Sequence, residues 1–357
     1  MDNGLELALG RYLRVMADEL PARFLVAKRV PVKISENIDE NWEEHEKGVA
    51  RFEQLLKKIS SLHELARMPK ASPNLLDLKA KIADTLTEAC IFCERRCRAN
   101  RKAGKLGWCR VGYVSRVASA FEHLGEEPEF VPSGTIFFAG CNLACAFCQN
   151  WDIAFFPERG TVWSSRDYCG WIAKRRSAPG GFRIRNVNLV GGEPTPNLHT
   201  ILRWLAECDI NIPVIWNSNM FLSVEGMRLL HGVVDVFIDD IKYADDRCAM
   251  RLSKAPKYWD TVKRNNLMAI NQAEILVRHL VMPAHLECDT KPIFDWIKAN
   301  LGDRVRVNIM SQYHPEYKAF DFPDISRRLR PEEYAEAVDY AKKIGLWNIE
   351  LQPMGFL

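Results

Sequence analysis

Six short apolar runs dominate the second half of the chain: Thr135–Ala139, Val187–Val190, Pro213–Trp216, Val234–Ile238, Ile275–Val281 and Val305–Ile309. Each is rich in Val, Ile or Phe and too short for a buried helix, so each reads as a strand covered on both faces. Segments of helical period lie between and after them, at about 166–176, 197–208, 223–231, 257–270, 289–300 and 331–344. Alternation of this kind predicts parallel strands joined by crossover helices, an α/β fold. Six such units fall short of the closed eight-unit barrel, so the pattern favours a partial (β/α)6 TIM barrel, with a doubly wound sheet as its rival. In both, ligands bind at the carboxyl ends of the strands.

The first 88 residues read differently. Phe52, Leu55, Leu56, Ile59, Leu62 and Leu65 recur every three or four positions, an amphipathic helix ended by Met68-Pro69. Ser72-Pro73 then opens a second helix, Ser72 as N-cap and Pro73 at its first position, with Leu75, Leu78, Ile82 and Leu86 as the stripe. Residues 1–88 are therefore expected to be an N-terminal helical extension packed on the main domain. Residues 89–132 form an irregular, basic, cysteine-rich loop, and 133–357 the barrel.

The 357 residues are 47% apolar and 27% charged, with a net charge of +3. That composition excludes a disordered, collagenous or polycationic chain. No apolar run reaches the roughly 20 residues of a membrane helix, and Met1-Asp2-Asn3-Gly4 does not begin a signal peptide. A cytoplasmic protein without a membrane partner is expected. Eleven cysteines then change the picture. In a reducing compartment, clustered cysteines hold metal or do chemistry. Seven fall in two clusters, while Cys169, Cys208, Cys248 and Cys288 are scattered and expected to be small buried hydrophobes.

The residues that follow each strand are the candidates for chemistry. After the first come Cys141, Cys145 and Cys148, spaced C-x3-C-x2-C. Thiolates suit zinc or an iron–sulfur cluster. A structural zinc site closes with four ligands, so three cysteines point to a four-iron cluster with one open iron, or to zinc completed by a distant His. After the second strand, Gly191-Gly192-Glu193-Pro194 lets backbone approach a ligand. Asn217 and Ser218 end the third. Asp240 and Lys242, on one side of the fourth, are a reactive pair or an ordinary ion pair. The fifth carries Arg278, which needs a partner if buried, and is followed by His285. Asn308, Ser311, Gln312, Tyr313 and His314 end the sixth. Upstream, Cys90, Cys93, Cys97 and Cys109 can close an auxiliary four-iron cluster or a zinc site. Their loop holds Arg95, Arg96, Arg98, Arg101, Lys102, Lys105, Arg110 and Arg116 against Glu94 alone, either a solvated face or a seat for nucleic acid, phosphate or an acidic partner.

The cysteine motif, with Phe147 before its last member, resembles that of the radical S-adenosylmethionine (SAM) superfamily. The resemblance implies a [4Fe-4S] cluster on Cys141, Cys145 and Cys148, with SAM on the open iron. The SAM is then cleaved to a 5′-deoxyadenosyl radical by an electron from a ferredoxin- or flavodoxin-like donor. It implies Phe147 over the adenine and Gly191, Gly192, Glu193 and Pro194 as the segment that receives the methionine amino group. Asn217-Ser218-Asn219-Met220 resembles an Asp-Thr-Asn-Gly segment, with Met220 at the glycine position and narrowing the pocket. Asp240 and Lys242 resemble a D-x-K motif near the methionine and the substrate, and Arg278 an Arg that holds the cofactor's carboxylate or ribose. The runs Cys90–Cys97, Gly107–Cys109, Ser133–Asn150, Val277–Glu287 and Asn308–Tyr317 resemble, more narrowly, the PflX-like pyruvate formate-lyase activating-enzyme group. That implies an oxidoreductase abstracting a hydrogen atom from a protein or peptide, glycyl radical formation being the narrow form, with Lys242, Asp240 and His285 as catalytic candidates. The alternatives are a radical SAM enzyme acting on RNA or a small molecule, and a zinc-binding nucleic-acid or adaptor protein.

Overall fold

The computed structural model describes residues 3–352. One eight-stranded sheet follows the order of the sequence. Its strands are Val117–His123 (β1), Ser133–Phe138 (β2), Asn186–Gly191 (β3), Val214–Ser218 (β4), Val236–Asp240 (β5), Glu274–Leu280 (β6), Arg306–Met310 (β7) and Ile349–Leu351 (β8). The six apolar runs are β2 to β7, all parallel. Among the described residues no ladder joins β8 to β1, so the sheet is open, consistent with a partial barrel.

Two strands carry no clear signal in the pattern. β1 pairs antiparallel with β2 and is half-buried on one side and exposed on the other beyond Val117, and the three-residue β8 is half exposed beside β7. Crossover helices occupy Ser165–Arg176, Leu198–Glu207, Val224–Leu230, Tyr258–Ala269, Lys291–Asn300 and Pro331–Lys343, close to the periodic segments. An additional helix, Asp246–Ser253, stands between β5 and β6, and a π-helical turn, Leu286–Thr290, follows β6.

The extension departs from expectation at two places. The amphipathic stripe is two helices, Ile38–Lys58 and Leu62–Ala66, because the Ser61 side chain accepts the Glu64 N–H and starts a new one. The cap of the next helix, Leu75–Leu86, is Asn74 rather than Ser72. Asn74 Oδ1 accepts the N–H groups of Leu76 (3.0 Å) and Asp77 (3.2 Å), while Asp77 accepts the Asn74 N–H (2.9 Å). Two orphan donors are satisfied reciprocally there, which Ser72 followed by a proline cannot match.

Residues ahead of the periodic stripe close one end of the barrel. The helix Asn3–Met16 packs Ala8, Leu9 and Tyr12 with Phe130 against Ile215, Val236, Ile238 and Leu276. Glu274, at the start of β6, accepts the N–H groups of Arg11 (2.6 Å) and Tyr12 (2.7 Å). Burying Leu9 and Tyr12 contributes about 2 kcal/mol each. With the amino ends of the strands plugged, access to the interior lies at their carboxyl ends.

Candidate functional site

A cavity of about 500 Å³ opens at those carboxyl ends. Cys141, Cys145 and Cys148 line it together, on the loop after β2. Backbone bonds hold the loop to the Asp246–Ser253 helix: Ala144 N–H donates to Ser253 O (3.0 Å) and Ala146 N–H to Leu252 O (2.7 Å). The Ser253 hydroxyl donates to Cys145 Sγ (2.9 Å) and the Leu143 N–H to Cys141 Sγ (3.4 Å). Burial pushes all three thiols up, Cys148 to about 12. Thiolates at this wall need a metal to exist at neutral pH, and three soft donors on one cavity face fit an iron–sulfur cluster. Phe147 lies beside them, edge-on to Tyr243 and near Tyr313.

The segment after β3 approaches the same space through bare backbone. Gly191 takes φ +126°, and a Cβ there would lie 2.2 Å from Phe138 N; one on Gly192 would lie 2.4 Å from Gly140 O. The Glu193 carboxylate turns to the neighbouring strand. It accepts the hydroxyls of Thr195 (2.5 Å) and Ser218 (2.7 Å) and the Asn219 N–H (3.0 Å), tying the end of β3 to that of β4. Pro194 starts the following turn and does not line the cavity. Asn217 and Ser218 line it. Met220 does not: it is fully buried and takes φ +55°. The requirement at this position is a left-handed backbone, which glycine meets at no steric cost.

Asp240 and Lys242 form an ion pair facing the cavity. Burial lowers the Lys242 ammonium, but the Asp240 carboxylate outweighs it and holds the group charged. Arg278 also lines the space, with partners the sequence reading missed. Its guanidinium binds Glu127 through two bonds (2.8 and 2.6 Å) and also pairs with Glu126. Glu126 in turn accepts from Asn188 (3.0 Å) and Glu127 from Asn308 (2.7 Å). These acids sit on the connection between β1 and β2; Glu126 lines the cavity, and Glu127 holds Arg278 and Asn308 beside it. An acidic doublet, Gly125-Glu126-Glu127-Pro128, together with Arg side chains inside two apolar strands, at Arg278 and Arg306, was the available signal.

His285 is not brought to the site. It lies outside the cavity lining, with Nδ1 2.7 Å from Asp289 Oδ2 and Nε2 3.0 Å from Asp324 Oδ2. Its residue follows β6 by five positions, and the intervening turn carries the ring away. Of the candidates on and after β7, Gln312 lines the cavity, while Asn308, in mid-strand, is committed to Glu127 and Tyr313 to Ile325 O (2.6 Å).

Cys90, Cys93, Cys97 and Cys109 are gathered in the segment ahead of β1, which is stitched to the loop after β4 by Glu94 N–H to Phe221 O (3.3 Å) and Ser223 N–H to Phe92 O (3.1 Å). Cys97 interacts with Cys90, and Cys93 with Cys109 and Cys97. The Cys90 contact and backbone donors hold the Cys97 thiol down at about 5, while burial takes Cys93 to about 12. The surrounding basic charge is neutralised in part. Arg96 pairs with Glu94 and Glu225, Lys102 with Asp84 and Glu88, and the buried Arg101 donates to Pro196 O (2.5 Å). Glu94 is therefore not the lone acid that the local sequence suggested. The four outlying cysteines are not all isolated either: Cys248 Sγ lies 3.8 Å from Cys288 Sγ.

The chain is similar to several known proteins. Residues 135–297 match the family model described as the radical SAM superfamily. The uncharacterized protein MJ0674 of Methanocaldococcus jannaschii is 46% identical over 349 residues, covering 95% of this chain and 98% of that one. Among solved structures, Streptococcus suis SuiB bound to the precursor peptide SuiA shares 14% identity (TM-score 0.44) over 60% of this chain and 46% of that one. QueE from Escherichia coli shares 14% (TM-score 0.35) over 67% and 94%. The chain thus spans less than half the length of the SuiB chain it matches. No helix among the described residues is long and apolar enough to cross a membrane.

Proposed function

The chain belongs to the radical SAM superfamily, and from that premise we propose that the cavity above β2 to β7 is where it cleaves SAM and starts radical chemistry on a substrate. Enzymes of this superfamily use a [4Fe-4S] cluster and SAM. The chemistry these groups supply when bound is one-electron cleavage of the sulfonium to methionine and a 5′-deoxyadenosyl radical. The observation that carries the reading is the convergence of Cys141, Cys145 and Cys148 with the Asp240–Lys242 pair on one cavity.

In this reading the three cysteines ligate the cluster. The backbone of Gly191 and Gly192 admits the methionine moiety, while Glu193 positions it indirectly by locking β3 to β4. Phe147, Asn217 and Ser218 form the cofactor's surroundings. Lys242 remains protonated beside Asp240, a fixed charge pair at the cavity wall. Arg278 serves from below, its charge offset by Glu126 and Glu127. We place a second metal centre at Cys90, Cys93, Cys97 and Cys109, a four-iron cluster in preference to zinc.

The substrate class we propose is a protein or peptide, as the D-x-K resemblance implies. An apolar cleft of about 330 Å³ touching Cys109 and Cys141, rimmed by Arg110, Lys254 and Lys318, suits an acidic low-potential electron donor. The test is anaerobic reconstitution with iron and sulfide, then dithionite and SAM. The expected result is release of 5′-deoxyadenosine and methionine, abolished in Cys145→Ala. No release from protein with confirmed cluster loading overturns the proposal.

A further inference from the structure

A second set of soft and hard donors converges away from the cavity. Cys248 lies on the Asp246–Ser253 helix, and His285, Cys288 and Asp289 lie at the turn Leu286–Thr290. One donor atom from each lies within 4.8 Å of every other. The edges of this tetrahedron are informative. Cys248 Sγ to Cys288 Sγ is 3.8 Å, Cys288 Sγ to His285 Nδ1 is 3.4 Å, and Cys288 Sγ to Asp289 Oδ2 is 3.5 Å. Tetrahedral zinc with ordinary bond lengths gives edges of about 3.8 Å between two sulfurs and about 3.6 Å between sulfur and nitrogen or oxygen. The edge from His285 Nδ1 to Asp289 Oδ2, 2.7 Å, is a hydrogen bond. It widens by roughly half an ångström when an ion takes the place of the proton.

The groups behind these donors are arranged as an outer shell. Asp289 Oδ1 accepts the N–H groups of Ala244 (2.8 Å) and Asp245 (3.0 Å), which leaves Oδ2 for the centre. His285 Nε2 meets Asp324 Oδ2 (3.0 Å), and Arg251 holds Asp324 through Oδ1 (3.0 Å). A carboxylate on the far nitrogen of a ligand His fixes the ring and raises its basicity. A lone buried His needs no second carboxylate, and two scattered cysteines used as hydrophobes need no contact with each other.

We propose that Cys248, His285, Cys288 and Asp289 hold one tetrahedral zinc ion. With four protein ligands the site is closed, and its role is structural. The ion joins the helix Asp246–Ser253 to the turn after β6. The far end of that helix carries Leu252 and Ser253, which bind the loop of Cys141, Cys145 and Cys148. Zinc at Cys248 thereby steadies the support of the cysteine loop from outside the cavity. This inference does not depend on the radical chemistry.

The test uses the full chain, purified anaerobically and supplied with Zn²⁺. Metal analysis is expected to show one zinc per chain fewer in Cys288→Ala and in Cys248→Ser than in the parent, whatever metal the Cys90 set holds. Peptide-resolved alkylation of the parent protein covers the case in which these variants do not fold. Cys248 and Cys288 are expected to resist iodoacetamide until a chelator is added, with at least a tenfold rise in rate afterwards. An unchanged zinc count in both folded variants overturns the assignment. So do equal alkylation rates with and without zinc, or a Cys248–Cys288 disulfide in the anaerobic parent.

Discussion

Arg278→Met removes the guanidinium shared by two buried carboxylates, Glu126 and Glu127, and leaves only His123 beside Glu126. The Glu126 and Glu127 side chains are only 6% and 1% exposed, and Arg278 is 14% exposed. Leaving one side of such a buried pair uncompensated costs about 3–5 kcal/mol. For a chain of this length the entropy of unfolding is about 0.75 kcal/mol/K, so the melting temperature should fall by about 4–7 °C. The pH dependence should also change sign. Burial alone pushes Glu126 up, but the Arg278 charge and His123 hold it at about 2. In the parent, the stability due to this depressed group is present above the unfolded carboxylate value and lost as pH falls toward 2. Without Arg278 burial dominates, one carboxyl keeps its proton in the folded state, and the variant loses more stability at pH 8 than at pH 5. The double variant Arg278→Met/Glu127→Gln should regain part of the loss, a coupling of at least about 1 kcal/mol. The assay is scanning calorimetry of cluster-loaded protein at matched scan rates, at pH 5 and pH 8. A fall under about 1 °C, or additive single and double variants, would refute the account of Arg278 as the counter-charge of Glu126 and Glu127.

Gly191→Ala places a Cβ 2.2 Å from Phe138 N and 2.3 Å from Phe138 O at φ +126°. It should cost at least about 1–3 kcal/mol and weaken SAM binding, measured by calorimetric melting and equilibrium dialysis. Ser253→Ala deletes the hydroxyl bond to Cys145 Sγ (2.9 Å); the expected result is a loaded cluster with a more negative midpoint potential by electron paramagnetic resonance titration. Lys242→Met leaves Asp240 unpaired in the cavity, and 5′-deoxyadenosine release should fall by more than about tenfold, equivalent to about 1.4 kcal/mol. Unchanged turnover at saturating SAM would remove that pair from the reacting site.

Much of the site was legible because its determinants are local. Three cysteines within eight residues, a Gly-Gly step after an apolar run and an acid two positions before a lysine each keep their meaning wherever the strand is placed. The rhythm of strand and helix is local too, since a strand buried on both faces must be continuously apolar. β1 escaped because one of its faces meets solvent and its pattern fades into the loop. The cap at Asn74 escaped because Ser72-Pro73 offered a similar signal two positions earlier.

Partnerships between distant groups could not be read in this way. Arg278 announced the need for a counter-charge, but Glu127 lies 151 positions away and reaches it only because β1 folds back beside β2 under the barrel. His285 had the sequence place of a pocket residue, and a single turn took it to Asp289 and Asp324 instead. Cys248 and Cys288 are 40 positions apart and meet because an additional helix packs after β5. Spacing along the chain picked out the cysteines and the strand-end residues that line the candidate site. Which charges are paired, and which cysteines share a centre, was decided by the register of the sheet and by what plugs its ends, because burial and electrostatic pairing depend on distance in space and not along the chain.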